Sequence, residues 1–103
     1  MNAREKEILH TLSEKIKAIF PDTKIWLFGS RAKETAEPDS DYDIFVVCRD
    51  AVQRKQISEI LWETGFENDM LLVGSYIEEI LFSDPKYRQS MFIQSAMKDC
   101  ISL

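Results

Sequence analysis

A chain of 103 residues with 13 lysines and arginines against 18 aspartates and glutamates carries a formal charge of −5. Its 45% hydrophobic content is ordinary for one folded domain over residues 1–103, with no room for a second substrate-binding domain. The acidity argues against direct nucleic-acid binding, which rests on many Lys/Arg–phosphate contacts, and the apolar runs Ile25–Phe28 and Ile44–Cys48 fall far short of the roughly 20 residues that span a bilayer.

Residues 3–20 predict an amphipathic helix, with Ile8, Leu9, Leu12, Ile16, Ile19 and Phe20 recurring at three- and four-residue spacing until Pro21 stops it. Lys24–Phe28, β-branched and aromatic, predicts a short strand ending at Gly29. Ser30 to Ser40 reads as a polar loop, with room for a helical turn over Arg31–Thr35. Asp41–Cys48 is the strongest strand signal, and its unbroken apolar half implies cover on both faces. Residues 51–63 predict a second helix with Val52, Ile57, Ile60 and Leu61 on or near one side and Gly65 as its C-terminal cap. Asn68–Val73 predicts a third strand, Gly74-Ser75 a turn and Ile77–Phe82 a short helix. Ser83-Asp84-Pro85 then starts a last helix running toward Met97. The order α-β-β-α-β-α-α predicts an α/β (α+β) domain with a small mixed β-sheet flanked by helices.

Cys48 and Cys100 lie far apart, and Cys48 sits in an apolar run; two free thiols suit a reducing cytoplasm. Met1–Glu7 carries both charge signs and no apolar secretory segment, which agrees with a cytoplasmic protein. Trp26 and Trp62 are expected to pack in or against the core. His10 stands on a helix without ligand partners. Met91, Phe92 and Met97 are either core or an apolar face that docks a partner.

The chemistry concentrates in Leu27-Phe28-Gly29-Ser30-Arg31-Ala32 and Asp39-Ser40-Asp41-Tyr42-Asp43-Ile44-Phe45-Val46-Val47. Asp41 and Asp43, two apart at the head of a strand, leave the same face. Like charges so close repel unless a cation sits between them, and an oxygen-only site favours Mg²⁺ or Mn²⁺. Gly29 permits close approach of the backbone to a ligand, and Ser30 adds a hydroxyl and an N–H, donors that suit phosphate. Arg31 either neutralises that phosphate or is a surface arginine. Carboxylates would repel a bare triphosphate, so a divalent ion must bridge the two, and metal, carboxylates and phosphate become one mutually dependent site. An EF-hand is excluded because its sixth and twelfth positions would be Ile44 and Asp50 instead of Gly and Glu. A Walker P-loop is excluded because no Gly-Lys-Ser/Thr follows Gly29.

Gly29-Ser30, ten residues, then Asp41-x-Asp43 resembles the signature of the DNA polymerase β-like nucleotidyltransferase superfamily. The wording GSRA followed by PDSDYDIFVV is similar to its minimal nucleotidyltransferase (MNT) branch, whose members include antitoxins paired with HEPN-domain toxins. The close match covers Leu27–Val47. The resemblance implies a polymerase β-like fold, with Gly29 and Ser30 on the nucleotide phosphates and Asp41 and Asp43 on Mg²⁺. It also implies a third carboxylate on a later strand, for which Asp69 is the first candidate and Glu67 the second. Glu34 departs from relatives that carry glycine there. The reaction so implied is a two-ion, in-line transfer of AMP from ATP to a hydroxyl, in the MNT–HEPN pairing a tyrosine of the partner toxin. The alternatives are a non-catalytic antitoxin of the same fold and a transferase acting on a small molecule such as an aminoglycoside; the short chain weighs against the last. Homo-oligomer formation, nucleotide preference and the acceptor are left open.

Overall fold

In the computed structural model, residues 1–90, 94 and 98–103 are described. Helix α1 spans Ala3–Ile19; the Asn2 side chain caps it by accepting the Glu5 N–H at 2.8 Å. Strand β1 is Lys24–Phe28, and one short helical turn, α2, covers Ser30–Lys33. Strand β2 is Tyr42–Cys48. Helix α3 is Ala51–Asn68, capped by Asp50, whose carboxylate accepts the Gln53 N–H at 2.8 Å. Strand β3 is Leu72–Glu78, followed by the short helices α4, Glu79–Phe82, and α5, Pro85–Arg88, and by β4, Ile101–Ser102. The expected last helix survives as α5, with Asp84 as cap and Pro85 in its first turn; its continuation toward Met97, with Met91 and Phe92, lies outside the described residues.

The sheet runs β3-β2-β1-β4. β1 pairs antiparallel with β2 and β4, whereas β2 and β3 are parallel, and α3 supplies the crossover that parallel neighbours require. Leu9, Leu12 and Ile16 of α1 and Ile57 and Leu61 of α3 bury against Ile25, Leu27, Ile44 and Val46 on one face. On the other face Phe45, Val47, Ile77 and Phe82 pack with Trp26 and Phe28. β2 is therefore covered on both sides, as its apolar run implies. Cys48 is a buried thiol pointing at the Ile77 carbonyl, 3.4 Å away. Among the described residues no helix is long and apolar enough to cross a membrane.

The structure departs from the sequence pattern at several local points. Helix α3 runs through Gly65 to Asn68, so Gly65 is not its cap; Asp69 takes that position in the left-handed conformation, φ 54°. Gly65 is needed for space instead, because a β-carbon there would lie 2.5 Å from the Met70 carbonyl oxygen. Gly74-Ser75 is not a turn but the middle of β3, which also absorbs Ile77 from the expected helix. Trp62, expected in or against the core, is exposed, and so is Val52 of the helix's expected apolar side. Strand β4 had no sequence signal, since two residues carry no periodicity. Gly65→Ala is expected to cost about 1–3 kcal/mol by overpacking against backbone; a denaturation midpoint equal to wild type would contradict this.

Candidate functional site

The site is built where β1 ends beside the start of β2. Phe28 pairs with Asp43 across the two strands, and the chain turns at Gly29 with φ 76° and ψ −154°, a region open essentially to glycine alone. A β-carbon on Gly29 would stand 2.6 Å from Asp43 Oδ2. The backbone of the Gly-Ser turn thus rests directly on the Asp43 carboxylate, an approach that any side chain at 29 would block. Ser30 follows as the first residue of α2, whose first-turn N–H groups have no partner within the helix. Asp41 is exposed just ahead of β2, and Asp43 is half-buried within it. The structure therefore sets the turn at Gly29, which Ser30 follows, against Asp43, with Asp41 near enough for its charge to act on the Asp43 carboxyl.

Asp43 shares its face of the sheet with Phe45, and Phe28, its strand partner, stands edge-on to Phe45 at 6.2 Å. That apolar flank explains the electrostatics. Burial, and after it the charge of Asp41, push the Asp43 carboxyl above its ordinary value. Both effects oppose ionisation, and a cation beside the pair would relieve both. Oxygen donors alone, one exposed and one half-buried, fit a hard divalent ion that keeps part of its shell for phosphate and water.

Arg31 faces the other way. Its Nε and Nη2 donate to the Ser40 carbonyl at 3.3 and 2.8 Å, and Nη2 also donates to the Pro38 carbonyl at 3.1 Å. The guanidinium lies 4.3 Å over the Tyr42 ring, and Nη1 is 3.9 Å from Glu5 Oε2. Burial and then the Glu5 carboxylate push the Tyr42 phenol up, with Arg31 acting against them. One arginine thus pins the loop that delivers Asp41. Neither Glu5 nor Tyr42 was among the sequence candidates, because nothing in α1 or in an apolar strand flags a loop anchor. Arg31→Ala is expected to cost about 1.5–3 kcal/mol, the value of a hydrogen bond to a charged group. Arg31→Lys should recover little, since an ammonium cannot reproduce the fork. Equal thermal stability of the lysine variant and wild type would refute this role.

Glu34 occupies the left-handed region, φ 60°, as the C-cap of α2, which is the physical reason that a glycine suits this position. The proposed third carboxylate is placed differently from expectation. Asp69 does not open a strand: it caps α3, and β3 begins only at Leu72. Glu67 is on α3 and exposed. The residue beside Asp43 in the parallel register is Val73, 39% exposed. Among the described residues no group of three His, Cys, Asp or Glu side chains gathers as a metal site. Val73 could not be found from the sequence, because parallel register is set by the length of the α3 crossover and not by any local pattern.

His10 forms an i,i+4 pair with Glu14 on α1, 2.9 Å apart. Trp26 packs as expected, with ring centroids 5.9 Å from Phe45 and 5.8 Å from Phe82.

No curated protein sequence matches the chain. Its fold is similar to that of a chain in the crystal structure of a toxin-antitoxin with AMP-PNP. The two share 21% identity at a TM-score of 0.55, over 89% of this chain and 69% of that one. The model of the nucleotidyltransferase domain matches residues 9–101, a span that contains the Gly-Ser turn, Asp41, Asp43 and every described helix except the first turns of α1. The four-stranded mixed sheet flanked by helices is a polymerase β-like fold, and the chain belongs to the nucleotidyltransferase domain family.

Proposed function

We propose that the protein transfers AMP from ATP, with Mg²⁺, to a hydroxyl of a partner protein, and that the partner is a HEPN-domain toxin. The observation that carries this reading is the Gly29 backbone seated on Asp43, with Asp41 beside it. The family match makes the chain a transferase in kind, and the similar fold in a toxin-antitoxin bound to AMP-PNP supports the nucleotide and the setting.

In this reading Asp41 and Asp43 hold the divalent ions, and Gly29 and Ser30 present backbone N–H groups to phosphate oxygens. Bound Mg²⁺ supplies neutralisation of the triphosphate and of the departing pyrophosphate. Arg31 acts through the loop, keeping Asp41 in line with Asp43. The acceptor oxygen bonds to the α-phosphorus as the bond to the β-bridging oxygen breaks; pyrophosphate leaves, and the hydroxyl proton passes to solvent. Asp69 and Glu67, at the end of α3, have no part in this assignment. A second reading, a module that silences its partner by binding alone, is favoured by Val73 standing beside Asp43 where a carboxylate would strengthen the site.

The test uses ATP labelled on the α- or the γ-phosphate, Mg²⁺ and the HEPN-domain partner. Transfer of the α-label alone, abolished by Asp43→Asn, is the expected result. Silencing of the partner by both forms with no label transferred would overturn the enzymatic reading in favour of the second.

A further inference from the structure

Helix α3 has a second apolar face that the core does not use. Trp62 and Phe66 stack at 5.4 Å with their planes 10° apart, yet are 68% and 75% exposed. Beside them, between α3 and β3, runs a groove of about 660 Å³ whose walls include Trp62, Leu72, Gly74 and Tyr76. Gly74 makes room for the Tyr76 ring, which lies against the place a β-carbon would fill. β3 is an edge strand, and no described strand pairs with its outer side, so the groove borders unpaired backbone as well.

The rim is acidic. Glu59 and Glu63 line the groove, and Glu67 continues the row one turn further. Like charges at i,i+4 repel along a helix, so this face carries a cost that a cationic neighbour would remove. The same row favours a cationic partner over a second copy of this chain, which would bring the same excess of glutamates to the contact.

We propose that this groove binds an amphipathic helix of a partner protein whose apolar anchors are flanked by lysine or arginine, the anchors meeting Trp62, Leu72 and Tyr76 and the cations meeting Glu59, Glu63 and Glu67. Leu72, Gly74 and Tyr76 alternate with Val73, which is in register with Asp43, so the groove lies on the opposite side of β3 from the carboxylate pair. Occupation therefore leaves the nucleotide site open, and the proposal does not depend on the transfer reading.

The experiment follows a fluorescein-labelled synthetic amphipathic helix of leucine and lysine by anisotropy as it binds the full chain. Saturable binding that weakens at least ~10-fold in Trp62→Ala/Phe66→Ala is expected, since truncating exposed aromatic anchors removes the largest contacts of an interface. Both side chains lie outside the core, so circular dichroism should be unchanged. Glu59→Lys/Glu63→Lys/Glu67→Lys should lose the lysine peptide and take up its glutamate counterpart, whereas Glu7→Lys/Glu14→Lys on α1 should bind like wild type. Equal binding by the aromatic double variant, or equal loss in the α1 variant, would reduce the effect to non-specific charge attraction and overturn the proposal. Sedimentation showing a wild-type dimer that the double variant dissolves would overturn it too, assigning the groove to a second copy.

Discussion

Gly29→Ala is expected to lower nucleotidyl transfer by at least ~100-fold, the cost of misplacing reacting groups by about an ångström. The new methyl would stand 2.6 Å from Asp43 Oδ2, inside any permitted contact, so either the carboxylate or the turn must move. Both belong to the proposed site. The backbone conformation adds a second penalty, about 1–3 kcal/mol for a non-glycine residue in this region. Transfer rates together with denaturant unfolding separate the two effects. An alanine variant that unfolds earlier yet transfers at the wild-type rate would show that the close approach is structural only.

Asp43→Asn should act in opposite directions on activity and stability. Transfer should fall by ~100-fold or more, since even residues that only support a metal ligand cost 10–100-fold. The metal-free protein should nevertheless melt higher than wild type at neutral pH. The folded state raises the Asp43 carboxyl above its ordinary value of 3.8, so it holds that proton more tightly than the unfolded chain does. Stability then falls as the pH rises from 3.8 through the raised value and stays lower above it. The asparagine variant escapes this loss, and its advantage should vanish below the ordinary value. Mg²⁺ should raise the wild-type midpoint and leave the variant unmoved. A variant less stable than wild type at neutral pH without metal would refute the electrostatic account.

The elements that hold the site were legible because each has a local cause. The unbroken apolar run marks β2, the break at Pro21 ends α1, and Gly29 after an apolar run marks the turn where the backbone meets Asp43. The misplacements share a different cause. Gly65 and Gly74 resemble punctuation in one dimension, but in the fold they make room, one for the Met70 carbonyl and the other for the Tyr76 ring. Treating them as a cap and a turn shortened α3, shifted β3 and so put Asp69 on a strand that begins three residues later. Trp62 follows the same logic: its aromatic character suggests the core, whereas the buried face of α3 is set by Ile57 and Leu61. Arg31 could be either a phosphate ligand or a surface residue from its type alone, and only the loop carbonyls around it show the anchor.

If the Gly29-Ser30 turn and the Asp41–Asp43 pair form one site, cation and nucleotide depend on each other. Calorimetric titration of a non-hydrolysable ATP analogue, with Mg²⁺ and with chelator, into wild type and Asp43→Asn tests it most directly. Binding only to wild type with Mg²⁺ present is expected. Equal affinity in chelator, or equal affinity of the variant, would contradict it.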